Sequence, residues 1–102
     1  MGIDAILRTE TQEELASVPD PQMVLSRAAT AGRFSETRLL KYLVPWGDAV
    51  FNQAQAPDLQ DDIRAFTDGD PGALLSHHLL EVRALVERLA SETHSYLWFI
   101  GD

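Results

Sequence analysis

Residues 96–100 read Tyr96-Leu97-Trp98-Phe99-Ile100, five large apolar side chains in succession. Successive side chains of a strand point to opposite faces, so an extended segment of this kind is apolar on both sides. It is expected at the centre of a sheet, paired on both edges and covered on each face. The stretch before it, from Asp70-Pro71 to about Thr93, carries Leu75, Leu79, Val82, Val86 and Leu89 at i, i+4, i+7, i+11 and i+14. That spacing draws one apolar stripe along a helix of 3.6 residues per turn, with Asp70 as its cap and Pro71 at its first position. A long amphipathic helix leading directly into a central strand restricts the chain to architectures in which helices pack on strands.

The upstream segments complete that picture. Ile3, Ala5 and Leu7 alternate with Asp4, Ile6 and Arg8, the period of a strand. Residues 11–18 admit two readings: Thr11-Gln12-Glu13-Glu14 fits a capping box opening a short helix, and Glu14–Val18 fits the return strand of a hairpin, which is preferred. Asp20-Pro21 suits the N-cap and first position of a helix through Val24, Leu25, Ala28 and Ala29, with Gly32 as its stop. Residues 35–44 are again open between strand and helix: Leu39–Val44 is rich in strand formers, and Ser35 is a competing helix cap. Pro45-Trp46-Gly47-Asp48 supplies a turn before a strand at Ala49-Val50-Phe51. Pro57 starts a short helix with Leu59, Ile63 and Phe66 on one face and Asp68-Gly69 at its end. The expectation is one α+β domain over residues 1–102. It is a two-layer structure, with a small, mainly antiparallel sheet packed against two to three helices and the C-terminal strand central.

Charge excludes several function classes. The 102 residues hold 16 Asp and Glu against 8 Lys and Arg, a formal net charge of -8. Nucleic-acid affinity is driven by neutralising phosphates, and this chain has too few cations for it; the same excess repels anionic membranes. With no cysteine there are no disulfides, thiolate nucleophiles or sulfur-ligated zinc. The N-terminal residues lack a basic and apolar signal pattern, and no apolar run reaches the length of a membrane span, so a cytoplasmic protein is expected. The charge is uneven: residues 1–20 sum to -4, residues 21–56 to +2, and residues 57–102 to -6.

No arrangement of reactive side chains meets the requirements of a reaction. His77 and His78 lie about 100° apart on one helix, and His94 is about 24 Å further along the helix direction, so the three histidines do not form a local metal site. His77 and Glu81 have ligand-compatible i, i+4 spacing on a polar face, where a solvated role is preferred. His78 flanks the apolar stripe and reads as a boundary packing residue. Asp68-Gly69-Asp70-Pro71-Gly72 resembles the start of a calcium loop, yet Pro71 intrudes and the twelfth position is Leu79 instead of a bidentate Glu. There is no Gly-x-Ser-x-Gly elbow and no phosphate-binding glycine loop. No catalytic residue, metal or cofactor is expected, and the chain is read as a non-enzyme.

Two features point to binding. Asp58, Asp61 and Asp62 cluster on one side of the helix from Pro57, away from its apolar face, and are expected to face solvent as an acidic patch for a basic partner. Trp46 sits between Pro45 and Gly47 in a turn, where a tryptophan is hard to bury, with Asp48 and Asn52 as polar neighbours. The leading reading is a small acidic cytosolic protein-binding module, inhibitor-like or immunity-like, meeting a basic protein through these six residues. The alternative is a small-molecule or enzyme site near Trp46, Asp48, Asn52 and His94. A homodimer through an edge strand or helix flank is compatible with both. If the basic residues between Arg27 and Lys41 fold onto the acidic helix, the inhibitor reading loses its main support.

Gly47-Asp48-Ala49-Val50-Phe51-Asn52, followed by two helices and a terminal His94-Ser95-Tyr96-Leu97-Trp98-Phe99-Ile100-Gly101-Asp102, resembles a set of short bacterial proteins of unassigned function. The likeness spans about residues 38–102. It implies a bacterial cytosolic domain and implies no reaction.

Overall fold

Nine elements follow one another along the chain in the computed structural model, which describes residues 2–70 and 73–101. They are β1 (Asp4–Thr9), β2 (Glu14–Val18), α1 (Val24–Thr30), a 3₁₀ turn (Leu40–Tyr42), β3 (Asp48–Phe51), a second 3₁₀ turn (Gln53–Gln55), α2 (Ala56–Gly69), α3 (Leu74–Ser91) and β4 (Ser95–Ile100). The strands form one antiparallel sheet in the order β2-β1-β4-β3. The expected α+β class, with an antiparallel sheet, three helices and a central C-terminal strand, is what the chain adopts. Residues 11–18 resolve as the hairpin.

Strand alternation sets the two faces. Ala5 and Leu7 of β1, Phe51 of β3 and Leu97 and Phe99 of β4 point inward and are buried with Leu79, Val82, Val86 and Leu89 of α3. Phe51 and Phe99 meet edge to face at 5.8 Å between ring centroids. Leu59 and Ile63 of α2 complete the core from the helix layer. The opposite face carries Asp4, Ile6 and Arg8, Tyr96, Trp98 and Ile100, and Asp48 and Val50, all half-buried or exposed. The expectation that β4 is covered on each face is therefore corrected. Helices cover one face, and on the other the apolar β4 side chains are shielded only in part.

Residues 35–44 form neither of the regular structures considered for them. The backbone N–H groups of Arg38, Leu39 and Leu40 donate to the Asp62 carboxylate at 3.0, 2.8 and 3.2 Å, so donors that a strand would give to a ladder go to a side chain instead. The chain turns there into the short 3₁₀ segment.

Helix starts also differ from expectation. α1 begins at Val24, not Pro21, yet Asp20 performs the expected capping: its carboxylate accepts from Val24, Leu25 and Ser26 N–H at 2.6, 3.1 and 3.4 Å, and from Ile3 N–H at 3.0 Å. One buried side chain thus ties the start of β1 to the first turn of α1. Gly32, at φ 74°, follows α1 where a left-handed residue is needed. Asp70 makes no side-chain cap, because α3 begins at Leu74 behind Ala73; its carbonyl accepts from Ala73 N–H and from the Ser76 hydroxyl. The part of that reading placed on Pro71 lies outside the described residues. At the other end of β4, Gly101 N–H donates to Gly47 carbonyl at 2.9 Å, and a Cβ on Gly101 would lie 2.6 Å from the Pro45 backbone.

Candidate binding surfaces

The acidic helix is the first surface to test against its geometry. Asp58 and Asp61 are partly exposed, and both are met by Arg38 from the preceding segment, Nη1 lying 2.8 Å from Asp58 Oδ1 and 3.7 Å from Asp61 Oδ2. Arg64 adds a contact to Asp61 at 3.3 Å. The hydrogen bond to Asp58 raises the Arg38 pKa above the ordinary arginine value, and the Asp58, Asp61 and Asp62 charges add to it. Asp62 does not face solvent: it is 5% exposed, with its carboxylate turned under residues 38–40. Of the expected acidic patch, one member is structural and two are neutralised by the protein itself.

Trp46, Asp48 and Asn52 separate in the same way. Trp46 is 76% exposed, the most exposed large apolar side chain among the described residues. Asp48 projects from β3 on the outer sheet face, opposite Ile100. Asn52 is engaged in a capping box, its Oδ1 accepting from Gln55 N–H at 3.2 Å while Gln55 Oε1 accepts from Asn52 N–H at 2.9 Å. His94 lies beyond the far end of β4, with Nδ1 3.3 Å from Glu10 Oε2, about 23 Å of extended chain from Gly101. The expected cluster of these four residues does not assemble around one concavity, and none of the grooves described below is lined by them.

Two surfaces emerge that sequence reasoning missed. The outer sheet face carries an apolar row across the strands, Ile6 pairing Trp98 and Trp98 pairing Val50, with Ser17 at its β2 end. Ile100 extends the row between Asp4 and Asp48. The Arg8 guanidinium stacks over Trp98 at 5.3 Å from the ring centroid, and the indole Nε1 is buried without an acceptor. Carboxylates surround this row: Asp4 and Asp48 on one end, Glu14 opposite Arg8 at the other, and Glu10 and Glu13 on the hairpin turn. Alternation placed the side chains in the sequence, but only the strand order shows that they adjoin.

The second surface is a groove between α1 and the first half of α3. Its main part, about 670 Å³, runs beside Pro19–Gln22, Val24, Leu74, His77, His78, Leu80 and Glu81, His78 and Asp20 forming part of its wall. A further part of about 280 Å³ shares Gln22, Val24 and Leu74 and ends at Arg27 and Arg33. His78 is 9% exposed, and its Nε2 is buried without a hydrogen-bond partner, 3.9 Å from Asp20 Oδ1, beyond hydrogen-bond reach. Among the described residues, no three His, Asp or Glu side chains converge as a metal site requires.

No family model, curated protein or solved structure matches this chain. Among the described residues, no helix is long and apolar enough to cross a membrane.

Proposed function

We propose that this chain is a non-enzymatic protein-binding module whose outer sheet face receives a basic protein. The observation that carries the reading is the row Ile6, Trp98, Val50 with Ile100, an apolar centre ringed by Asp4, Asp48 and Glu14. Protein interfaces share this anatomy, a desolvated apolar centre inside a polar rim, with aromatic side chains as anchors. Trp46, two residues before Asp48 and widely exposed, adds a further aromatic at the β3 edge.

Arg38 and Arg64 already lie against Asp58 and Asp61, so the argument for a basic partner rests not on α2 but on the sheet. There the carboxylates of Asp4, Asp48, Glu10, Glu13 and Glu14 outnumber Arg8, and opposite charge on a partner speeds encounter and selects against acidic proteins. An inhibitor of a basic enzyme, or an immunity-type protein, is the form of this function that the charge favours.

The test compares three full-length proteins for retention of purified basic proteins at low and high salt. Wild type should retain a partner in a salt-sensitive manner. The Asp58→Asn/Asp61→Asn double variant should retain it equally, and Asp4→Lys/Asp48→Lys should lose it. Loss through the α2 substitutions with the sheet variant unaffected, or no retention at low salt, overturns the reading.

A further inference from the structure

The groove between α1 and α3 lies in the helix layer, away from the sheet's outer face, and has the opposite charge character at one end. Of the eight basic side chains, Arg38, Arg64, Arg83 and Arg88 pair with carboxylates. Among the described residues Arg8, Arg27, Arg33 and Lys41 do not, and of these Arg27 and Arg33 line the same end of this groove. Arg27 has no side-chain partner among the described residues, and Arg33 lies over the Phe66 ring at 5.9 Å. On a molecule of net charge -8, two cations lining one groove end without carboxylate partners among the described residues are a local reversal of sign.

Between that end and Glu81 the wall mixes apolar side chains with Asp20, Gln22, His77 and His78. Val24 and Ala28 form its buried side on α1, while Leu74 and Leu80 of α3 stand 60% and 44% exposed. From Leu74 to Leu80 the helix rises about 9 Å, close to the spacing of anchors one heptad apart on a docked helix. The groove is open along its length, which suits a helix laid into it better than a small molecule enclosed by it. Its wall also holds the buried imidazole of His78, whose Nε2 has no hydrogen-bond partner among the described residues, a feature that folded proteins retain in few places.

We infer that this groove receives an amphipathic helix of a second protein segment, its apolar anchors on Val24, Ala28, Leu74 and Leu80 and its acidic end beside Arg27 and Arg33. The inference stands independently of the sheet-face reading, since it uses none of the same residues and calls for the opposite charge.

The experiment uses two synthetic helical peptides carrying leucines at i, i+3 and i+7, one ending in Glu-Glu and the other in Lys-Lys, titrated into the ¹⁵N-labelled full chain. The Glu peptide should shift the amides of Val24, Ala28, Leu74 and His77 with a dissociation constant of ~10–100 μM, and the Lys peptide should bind more weakly. Arg27→Glu/Arg33→Glu alters two exposed side chains and should leave amide dispersion unchanged, while weakening the Glu peptide at least about tenfold and favouring the Lys peptide. Leu80→Asp should weaken both. Equal binding of the two peptides to wild type, shifts confined to the sheet face, or shifts produced by laurate and not by the peptides would overturn the inference.

Discussion

The Arg38 guanidinium meets the Asp58 carboxylate at 2.8 Å, across twenty residues of sequence. This contact brings the basic middle segment against the acidic helix. The +2 middle segment supplies Arg38, the acidic C-terminal segment supplies Asp58 and Asp61, and Arg64 adds a second cation beside Asp61. The pair is solvent-exposed, so its contribution to folding is small, and its main effect is on what α2 presents to a partner. Arg38→Ala should leave the urea midpoint close to wild type. It should also raise zero-length crosslinking of a polylysine probe to Asp58 and Asp61, read by mass spectrometry; unchanged crosslinking would show that Arg38 does not mask them.

Asp62 behaves oppositely to its neighbour Asp61. Its buried carboxylate holds three consecutive backbone N–H groups, so Asp62→Ala leaves those donors unsatisfied and should cost about 2–4 kcal/mol. Asp62→Asn keeps one acceptor oxygen and should lose less. Urea denaturation of both variants checks the order, and equal losses would contradict the capping account.

Asp20 links two elements, accepting from Ile3 on one side and Val24–Ser26 on the other. α1 is only seven residues long and depends on such anchoring, since short helices are marginal without tertiary support. Asp20→Ala should destabilise the protein by roughly 2–4 kcal/mol and speed amide exchange first at Val24, Leu25 and Ser26. Exchange rising uniformly over the chain would show that α1 is not the local target.

Gly101 has no space for a methyl group against Val44 and Pro45. Gly101→Ala should cost about 1–3 kcal/mol by forcing the turn before β3 away from the end of β4. Gly69→Ala, where a Cβ meets nothing, should be close to neutral, and thermal melts of the two variants give the contrast.

Val50 is 42% exposed on the outer sheet face and contributes little to the core. Val50→Glu should change stability by less than about 1 kcal/mol while abolishing capture of a basic partner on that face. Retained capture would place the interface elsewhere.

Much of the fold was legible because it depends on local periodicity. The stripe from Leu75 to Leu89 and the apolar run of β4 describe elements whose side chains repeat with a fixed period, and α2 announces itself through Pro57 and its first-turn aspartate. Residues 35–44 were not legible, because their conformation is set by Asp62, more than twenty positions away, and no local pattern records that bond. The same bond hides the role of Asp62 in the sequence, where it looks like one more surface carboxylate. Trp46 was correctly expected at the surface from its turn. The row Ile6, Trp98, Val50 needed the strand order, which joins residues from the beginning, end and middle of the chain. The groove required α1 and α3 to be placed together, and the short α1 has no pattern that names its neighbour.

The central ladder of the sheet pairs β1 with β4, from Thr9 with Ser95 to Asp4 with Ile100. These partners are separated by 86 to 96 positions, so their meeting closes nearly the whole chain into one loop. Closing about 90 residues costs roughly 2 kcal/mol more in chain entropy than closing about 10. The β1–β2 hairpin can form earlier, but two strands alone are marginal in water. On the ribosome, therefore, the sheet stays incomplete until β4 has left the exit tunnel. Until then β1 lacks its central neighbour, and the long-range pairing sets the pace of folding.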